Sequence, residues 1–306
     1  MRLRIAVQDA LGAPVVTDQP QAGGYSPGMA SRLDLADGRT VFAKAVSAEQ
    51  NPDSPGLYRR EIAAMRTLPS AAPAPRLLWE YDDGHWVVLV LEWVQGRHPH
   101  QPWASHDLDQ VLKALTNLAD ALTPSPVEAM TVVDDLAPLF GRWRSLTAHP
   151  EQAAGLDSWL RQNLDLLAEV ESGWAEAVEG TTLLHTDLRA DNLLITDQGV
   201  VVVDWAYTVV GAPWVDLALM LPSLLASTPD LDPQQVWNAF PPAAQAPDQG
   251  VNALLAAQAG TLLTDAMKPP PPGINGLREH QHAKGQAALN WLRVRLNQSP
   301  TPERHS

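Results

Sequence analysis

The sequence predicts an α+β chain in two lobes, an antiparallel sheet carrying one helix followed by a mainly helical part. Three observations lead there. Residues 1–91 contain short runs of alternating apolar and polar side chains separated by turn signals. From residue 96 onward the apolar residues recur at helical spacing instead. Between 185 and 204 a compact set of His, Asp and Asn residues falls on a strand–turn–strand pattern rather than on a helix.

Taken in order, strands are expected at Val15–Val16, Ala30–Leu35, Arg39–Val46, Arg76–Tyr81 and His85–Leu91. Asp37-Gly38 and Asp82-Asp83-Gly84 supply hairpin turns. A helix begins at Ser54, a residue able to cap it, with Pro55 at its first position, and runs to about Leu68. Helical patterns then cover about 107–122, 134–147, 151–178, 214–226, 233–239, 250–267 and 277–297. Proline-rich breaks at 228–249 and 268–273 separate the last of these. The implied organisation is a sheet lobe at 1–92, a hinge at 93–96, a helical lobe at 97–298 and a tail at 299–306.

The chemistry concentrates in His185-Thr-Asp187-Leu-Arg189-Ala-Asp-Asn192, followed by a hairpin and then Asp204-Trp205. Asp187 and Asn192 lie five residues apart, so one loop can present both. The strands 193–196 and 200–203 flank an Asp-Gln-Gly turn and bring Asp204 back beside Asn192. Phosphoryl transfer needs such parts: a carboxylate for the proton of the attacking hydroxyl, and an amide and a second carboxylate for Mg²⁺. A lone His-x-Asp would mean little, since Asp and Asn are ordinary loop residues. The spacing of the whole set carries the argument.

A matching upstream half exists. In Val41-Phe-Ala-Lys44-Ala-Val46, Lys44 shares its strand face with Phe42 and Val46, and the chain has only four lysines. In the following helix Leu57, Tyr58, Ile62, Met65 and Leu68 form an apolar stripe that contains Glu61. A carboxylate there needs a partner, and Lys44 is the obvious one. The bland readings are a snorkelling lysine and a glutamate on the wet edge of the stripe. Before the Lys44 strand lies a loop, Gly23-Gly24-Tyr25-Ser26-Pro27-Gly28, whose glycines would let backbone N–H groups approach phosphates. It matches neither G-x-G-x-x-G nor a P-loop.

With these residues in view, the chain resembles the aminoglycoside phosphotransferase family of small-molecule kinases from near Gly23 to about Leu221. The resemblance implies a bilobal protein-kinase-like fold with ATP as co-substrate and Mg²⁺. It implies Asp187 as the catalytic residue, Asn192 and Asp204 as metal ligands, and Lys44 with Glu61 as the phosphate-anchoring pair. Gly23, Gly24, Ser26 and Gly28 would surround the phosphates, Glu92 and Val94 would meet adenine through their backbone, and Asp216 would be structural. Departures from the protein kinases are plain. Trp205-Ala206 replaces Phe-Gly, no Ala-Pro-Glu follows, and the stretch from Asp204 to Asp216 is too short for an activation loop. Arg189 stands where protein kinases carry the catalytic-loop lysine, so it either meets the transferring phosphoryl group or stiffens the loop.

Composition narrows the partners. The chain has 306 residues, a net charge of −14 and no cysteine, which excludes disulfides and thiolate chemistry. No basic stripe suits nucleic acid. Arg2, Arg4, Gln8 and Asp9 break any signal-peptide core, and Asp204, Pro213, Asp216 and Pro222 interrupt the apolar stretch 199–227 that could be mistaken for a membrane span. A cytoplasmic enzyme, monomer or homodimer, is expected. Residues 104–180 hold thirteen acidic and four basic side chains. They suit a cationic, hydroxyl-bearing acceptor such as an amino sugar, and equally a solvated helix face. His98, His100, His106, His280 and His282 have spacings that fit no standard metal site and read as loop or surface residues. A metabolic kinase of the choline or homoserine type is the same-fold alternative. A nucleotide-binding module without turnover, and a protein kinase, are the remaining readings.

Overall fold

A computed structural model describes residues 2–21, 28–52, 54–270 and 276–298. The chain runs through α1 (Arg2–Leu11), β1 (Val15–Pro20), β2 (Met29–Leu35), β3 (Thr40–Ser47), α2 (Ser54–Thr67), β4 (Leu77–Asp82), β5 (Trp86–Glu92) and α3 (Ser105–Ala121). It continues with α4 (Val132–Leu136), α5 (Arg142–Ala148), α6 (Ser158–Gln162), α7 (Leu164–Glu171) and α8 (Trp174–Ala177). Then come β6 (Thr182–Leu184), β7 (Leu193–Thr196), β8 (Gly199–Val202) and β9 (Val209–Gly211). The helices α9 (Val215–Ser227), α10 (Pro233–Asn238), α11 (Asp248–Ala266) and α12 (Leu277–Gln298) complete the described chain.

These elements form two compact units. The first comprises 1–100, 104–128 and 190–208, and the second 101–103, 129–189 and 209–306. The sheet expected for 1–92 is there, but its unit also takes in α3 and the β7–β8 hairpin.

In the first unit five antiparallel strands lie in the order β1-β2-β3-β5-β4. Alternation along β3 sends Val41, Ala43 and Ala45 to one face, where they join Leu33, Leu35, Val88 and Val90. Val7 of α1 closes that core. The sequence reading missed α1, because a single buried Val7 and a half-buried Leu11 leave it little periodicity. The opposite face carries α2 through Tyr58, Ile62 and Met65. Because both faces are covered, Val87–Leu91 is buried at every position and reads as a continuous apolar run. α2 starts at Ser54 as the sequence suggests, and Asn51 Oδ1 accepts the Ser54 N–H at 3.0 Å, satisfying one of the amides the helix start leaves over.

The second unit is built around α11. Its residues from Gly250 to Thr261 are all buried, which removes any amphipathic stripe. It runs against α12, α7, α8, α5 and α9. Gly260 permits one of these contacts, since a Cβ there would sit 2.8 Å from Trp143 Nε1, which donates to Ala256 O at 2.7 Å. Trp214, Trp237 and Trp291 meet edge to face in succession, so the chain's many tryptophans serve largely as core. The span 151–178, read as one helical pattern, is broken into a 3₁₀ turn, α6, α7 and α8. Likewise α4 and α5 are separate, with Gly141 at φ 86° between them.

Candidate active site

In the first unit, Lys44 Nζ lies 2.6 Å from Glu61 Oε2 and 2.8 Å from Asp204 Oδ1. β3 and α2 hold the first two residues, and the segment after β8 supplies the third. The side chains of Glu61, Lys44 and Asp204 are 0%, 11% and 34% exposed. Burial alone would push the Lys44 ammonium toward losing its proton, but the two carboxylates outweigh that and raise its pKa above the ordinary lysine range. The Tyr58 ring lies 5.1 Å from Nζ on a further side. Burial likewise raises the Tyr58 hydroxyl pKa. The Lys44–Glu61 contact matches the sequence expectation. The Asp204 contact was not foreseen, because nothing in the spacing of residues 160 apart announces it.

The hairpin explains how Asp204 gets there. β7 and β8 pair from Thr196↔Gly199 to Leu193↔Val202, and Val203 N–H donates to Asn192 O at 3.0 Å. Asn192 and Asp204 therefore stand together at the open end of one hairpin ladder. Asp204 itself adopts φ 66°, ψ 67°, the left-handed region that costs a non-glycine residue free energy. Trp205 behind it is fully buried, and its Nε1–H donates to Val202 O at 2.9 Å. Among the described residues no group of three His, Cys, Asp or Glu side chains is placed to hold a metal. An amide and one carboxylate are hard oxygen donors, too few to cage an ion. That donor set fits Mg²⁺, which keeps several ligands for water and phosphate. His98 Nδ1 lies 3.0 Å from Leu193 O, and His100 Nδ1 lies 2.8 Å from Asp107.

The loop 185–189 belongs to the second unit. Asp216, in the first turn of α9, accepts the N–H of His185 at 3.0 Å and of Thr186 at 2.8 Å. Burial raises the Asp216 pKa, opposed by those same N–H groups. Thr186 stands at φ 58°, a genuine outlier for a β-branched residue. Its N–H bond to Asp216 braces it there. The buried His185 ring accepts the Asp187 N–H through Nδ1 at 3.3 Å. Strain and bracing thus sit immediately before the half-exposed Asp187. Arg189 Nη2 lies 3.7 Å from Asp187 Oδ2.

At the expected hinge, Glu92 N–H is taken by Arg76 O at 2.9 Å, and the Glu92 carboxylate pairs with the Arg76 guanidinium at 3.1 Å, which lowers its pKa. Val94 lies just past the end of β5. Trp93 beside it lies 6.4 Å from Phe42 and 5.1 Å from the Arg32 guanidinium. Gly23, Gly24 and Ser26 lie outside the described residues. Gly28 is described, and a Cβ there would fall 2.5 Å from Tyr58 Oη. Its missing side chain therefore makes room for Tyr58.

A sheet-and-helix unit with a Lys–Glu–Asp cluster, and a helical unit with a braced Asp loop, define a kinase-like small-molecule phosphotransferase. The family model described as the phosphotransferase enzyme family, APH, matches residues 20–263. The chain belongs to that family. Solved structures agree on the fold. An aminoglycoside phosphotransferase APH(4)-Ia, a thermostable mutant in complex with ADP and hygromycin B, is 16% identical with a TM-score of 0.63, covering 96% of this chain and 98% of that one. An aminoglycoside phosphotransferase from Alicyclobacillus acidocaldarius is 17% identical with a TM-score of 0.59, covering 95% and 96%. A choline/ethanolamine kinase family protein from Mesorhizobium loti is 14% identical with a TM-score of 0.60, covering 92% and 91%. No curated protein matches the sequence. No helix among the described residues is long and apolar enough to cross a membrane.

Proposed function

We propose that this enzyme transfers the γ-phosphoryl group of ATP to a hydroxyl of a small, cationic molecule in the cytoplasm. The observation that carries the reading is the buried Lys44 held between Glu61 and Asp204. An ammonium fixed by two carboxylates is preorganised for the α- and β-phosphates. In this reading the backbone of Glu92 and Val94 receives adenine, and Gly23, Gly24, Ser26 and Gly28 line the phosphates. Asn192 and Asp204 hold Mg²⁺, which when bound neutralises charge on the β- and γ-phosphates. Asp187 orients the acceptor hydroxyl and takes its proton as the new O–P bond forms and the bond to the bridging oxygen of ADP breaks.

The acceptor rests on charge. Of the acidic residues in 104–180, Asp107 and Glu171 are buried and spent inside the chain. Asp157, Asp165, Glu169, Glu176 and Glu179 stand exposed, leaving a negative field for a cation. The structural relatives that carry hygromycin B or kanamycin support an amino-sugar acceptor. The choline/ethanolamine kinase relative supports the metabolic alternative, an amino alcohol. ADP release measured over a panel of amino sugars, amino alcohols and nucleosides separates these. The best acceptor is expected to carry a cationic amine, and a neutral nucleoside in first place would refute that part. Asp187→Asn is expected to lower turnover by about 10²–10⁴ while nucleotide affinity holds. A variant that keeps more than about a tenth of wild-type turnover would remove Asp187 from the mechanism.

A further inference from the structure

We propose that Asp107 is a positioning residue for the hairpin that carries Asn192 and Asp204, acting through Arg97. This rests on the assignment of those two residues to the metal. Asp107 lies in the first turn of α3 with its side chain 2% exposed. It takes four donors: Arg97 Nη1 at 2.9 Å, Arg97 Nη2 at 2.6 Å, His100 N–H at 2.9 Å and His100 Nδ1 at 2.8 Å. The bidentate Arg97 contact keeps the carboxyl ionised, well below the usual carboxylate range.

Arg97 is tied at its other end to the hairpin. Its N–H donates to Ile195 O at 3.0 Å, and its carbonyl accepts the Ile195 N–H at 2.7 Å. His98 adds a ring N–H to Leu193 O at 3.0 Å. Gly96 allows the approach, because a Cβ there would lie 3.0 Å from Ile195 O and 3.2 Å from Leu194 Cβ. So Arg97 forms an isolated antiparallel bridge to Ile195 of β7, and Asp107 holds that bridge through the Arg97 guanidinium while it also takes the two His100 donors. On its other edge the hairpin is bonded through Val202 N–H to Pro73 O at 2.7 Å. α3 also lies against β7 and β8. The ladder ends one residue from Asn192 and two from Asp204. Any slip of the Arg97 tether therefore moves both donors together. An ion pair whose guanidinium is 45% exposed is weak evidence for stability. What it adds is direction, and a two-ligand metal site depends on direction.

Asp107→Ala and Arg97→Lys, made in the full chain, test this. Two quantities are read: the Mg²⁺ concentration that half-saturates binding of a non-hydrolysable ATP analogue by calorimetry, and amide exchange of residues 193–196. Asp107→Ala is expected to raise that Mg²⁺ concentration about tenfold or more, and to speed exchange at Ile195. Affinity for the analogue without Mg²⁺ should stay within about twofold of wild type. Arg97→Lys keeps the charge but loses the fork, folds, and should fall between the two. Lowered thermal stability in both variants, with Mg²⁺ half-saturation within about twofold of wild type, overturns the proposal and leaves Asp107 a purely structural residue. If Asp107→Ala does not fold, a wild-type Mg²⁺ dependence in Arg97→Lys overturns it just as well. Wild-type protein that binds the analogue without any Mg²⁺ dependence overturns the metal assignment, and this inference with it.

Discussion

The Lys44 cluster permits a quantitative test, because its three charges differ in burial and can be removed one at a time. At an effective dielectric of about 20, each contact of about 2.7 Å corresponds to roughly 6 kcal/mol of attraction, before the desolvation that offsets most of it. Lys44→Met leaves two carboxylates around an apolar tip. One of them, Glu61, is fully buried, so the loss should be about 3–5 kcal/mol, moderated because Asp204 can turn toward water. Glu61→Gln leaves the Lys44–Asp204 pair intact and should cost less, about 1–3 kcal/mol. In Lys44→Met/Glu61→Gln no buried charge remains unpaired, so the double variant should cost less than the sum of the two, with a coupling of about 1–3 kcal/mol. All three residues belong to the first unit, so the readout should too. Amide exchange in β3 and α2 across a urea series reports that unit alone. A coupling below about 0.5 kcal/mol, or a Glu61→Gln variant less stable than Lys44→Met, would refute the reasoning.

Three further outcomes are expected. Asp216→Ala removes the acceptor of two N–H groups and the restraint on Thr186, and should cost about 2–5 kcal/mol in thermal unfolding; an unchanged midpoint would show that the loop is held by other bonds. Arg189→Ala should lower kcat about 10²-fold with the KM for ATP nearly constant, whereas a drop in thermal stability alone with normal turnover would reduce Arg189 to a brace for Asp187. The Arg59 fork lowers the Asp82 pKa from 3.8 to about 2, helped by Gly84 N–H. Its folded pKa lies below its unfolded one, so its contribution is present above about pH 4 and is lost as pH falls toward 2. Both partners are more than one-third exposed, so screening limits this to about 0.2–1 kcal/mol. Asp82→Asn should flatten that acid limb, and an identical limb in both proteins would show that the pair is worth nothing.

Where a side chain's partner lay close in sequence, or a strong period marked its element, the sequence was enough. The five strands of the sheet, α3, α9, α11 and α12 begin and end within a few residues of where alternation and helical spacing put them, although β1 extends four residues beyond Val16. The Lys44–Glu61 pair was legible because a carboxylate in an apolar stripe demands a cation. What failed depended on distant geometry. The stretch 151–178 keeps a helical period across breaks that tertiary packing imposes. β6 and β9 are three residues each and pair across the intervening residues 185–208, too short for any periodic signal. Gly28 belongs to a glycine-rich loop by sequence, yet the space it leaves is filled by Tyr58, a residue thirty positions on. Asp107 resembled one more acid of a solvated helix until Arg97 and His100 closed on it.

The first unit is assembled from three separated stretches of chain, and its Lys44–Asp204 bond joins residues 160 apart. On the ribosome, then, the five-stranded sheet is translated in full long before the hairpin that completes its unit. The nascent sheet has Glu61 for Lys44 but must wait for the segment through 208 to receive its second carboxylate. Completion of this unit, unlike the local pairing of its sheet, therefore requires a long-range closure whose entropy cost must be met before its contacts form. Translation arrested or truncated before residue 190 yields a sheet without its hairpin, an unfinished surface exposed to chaperones and proteases.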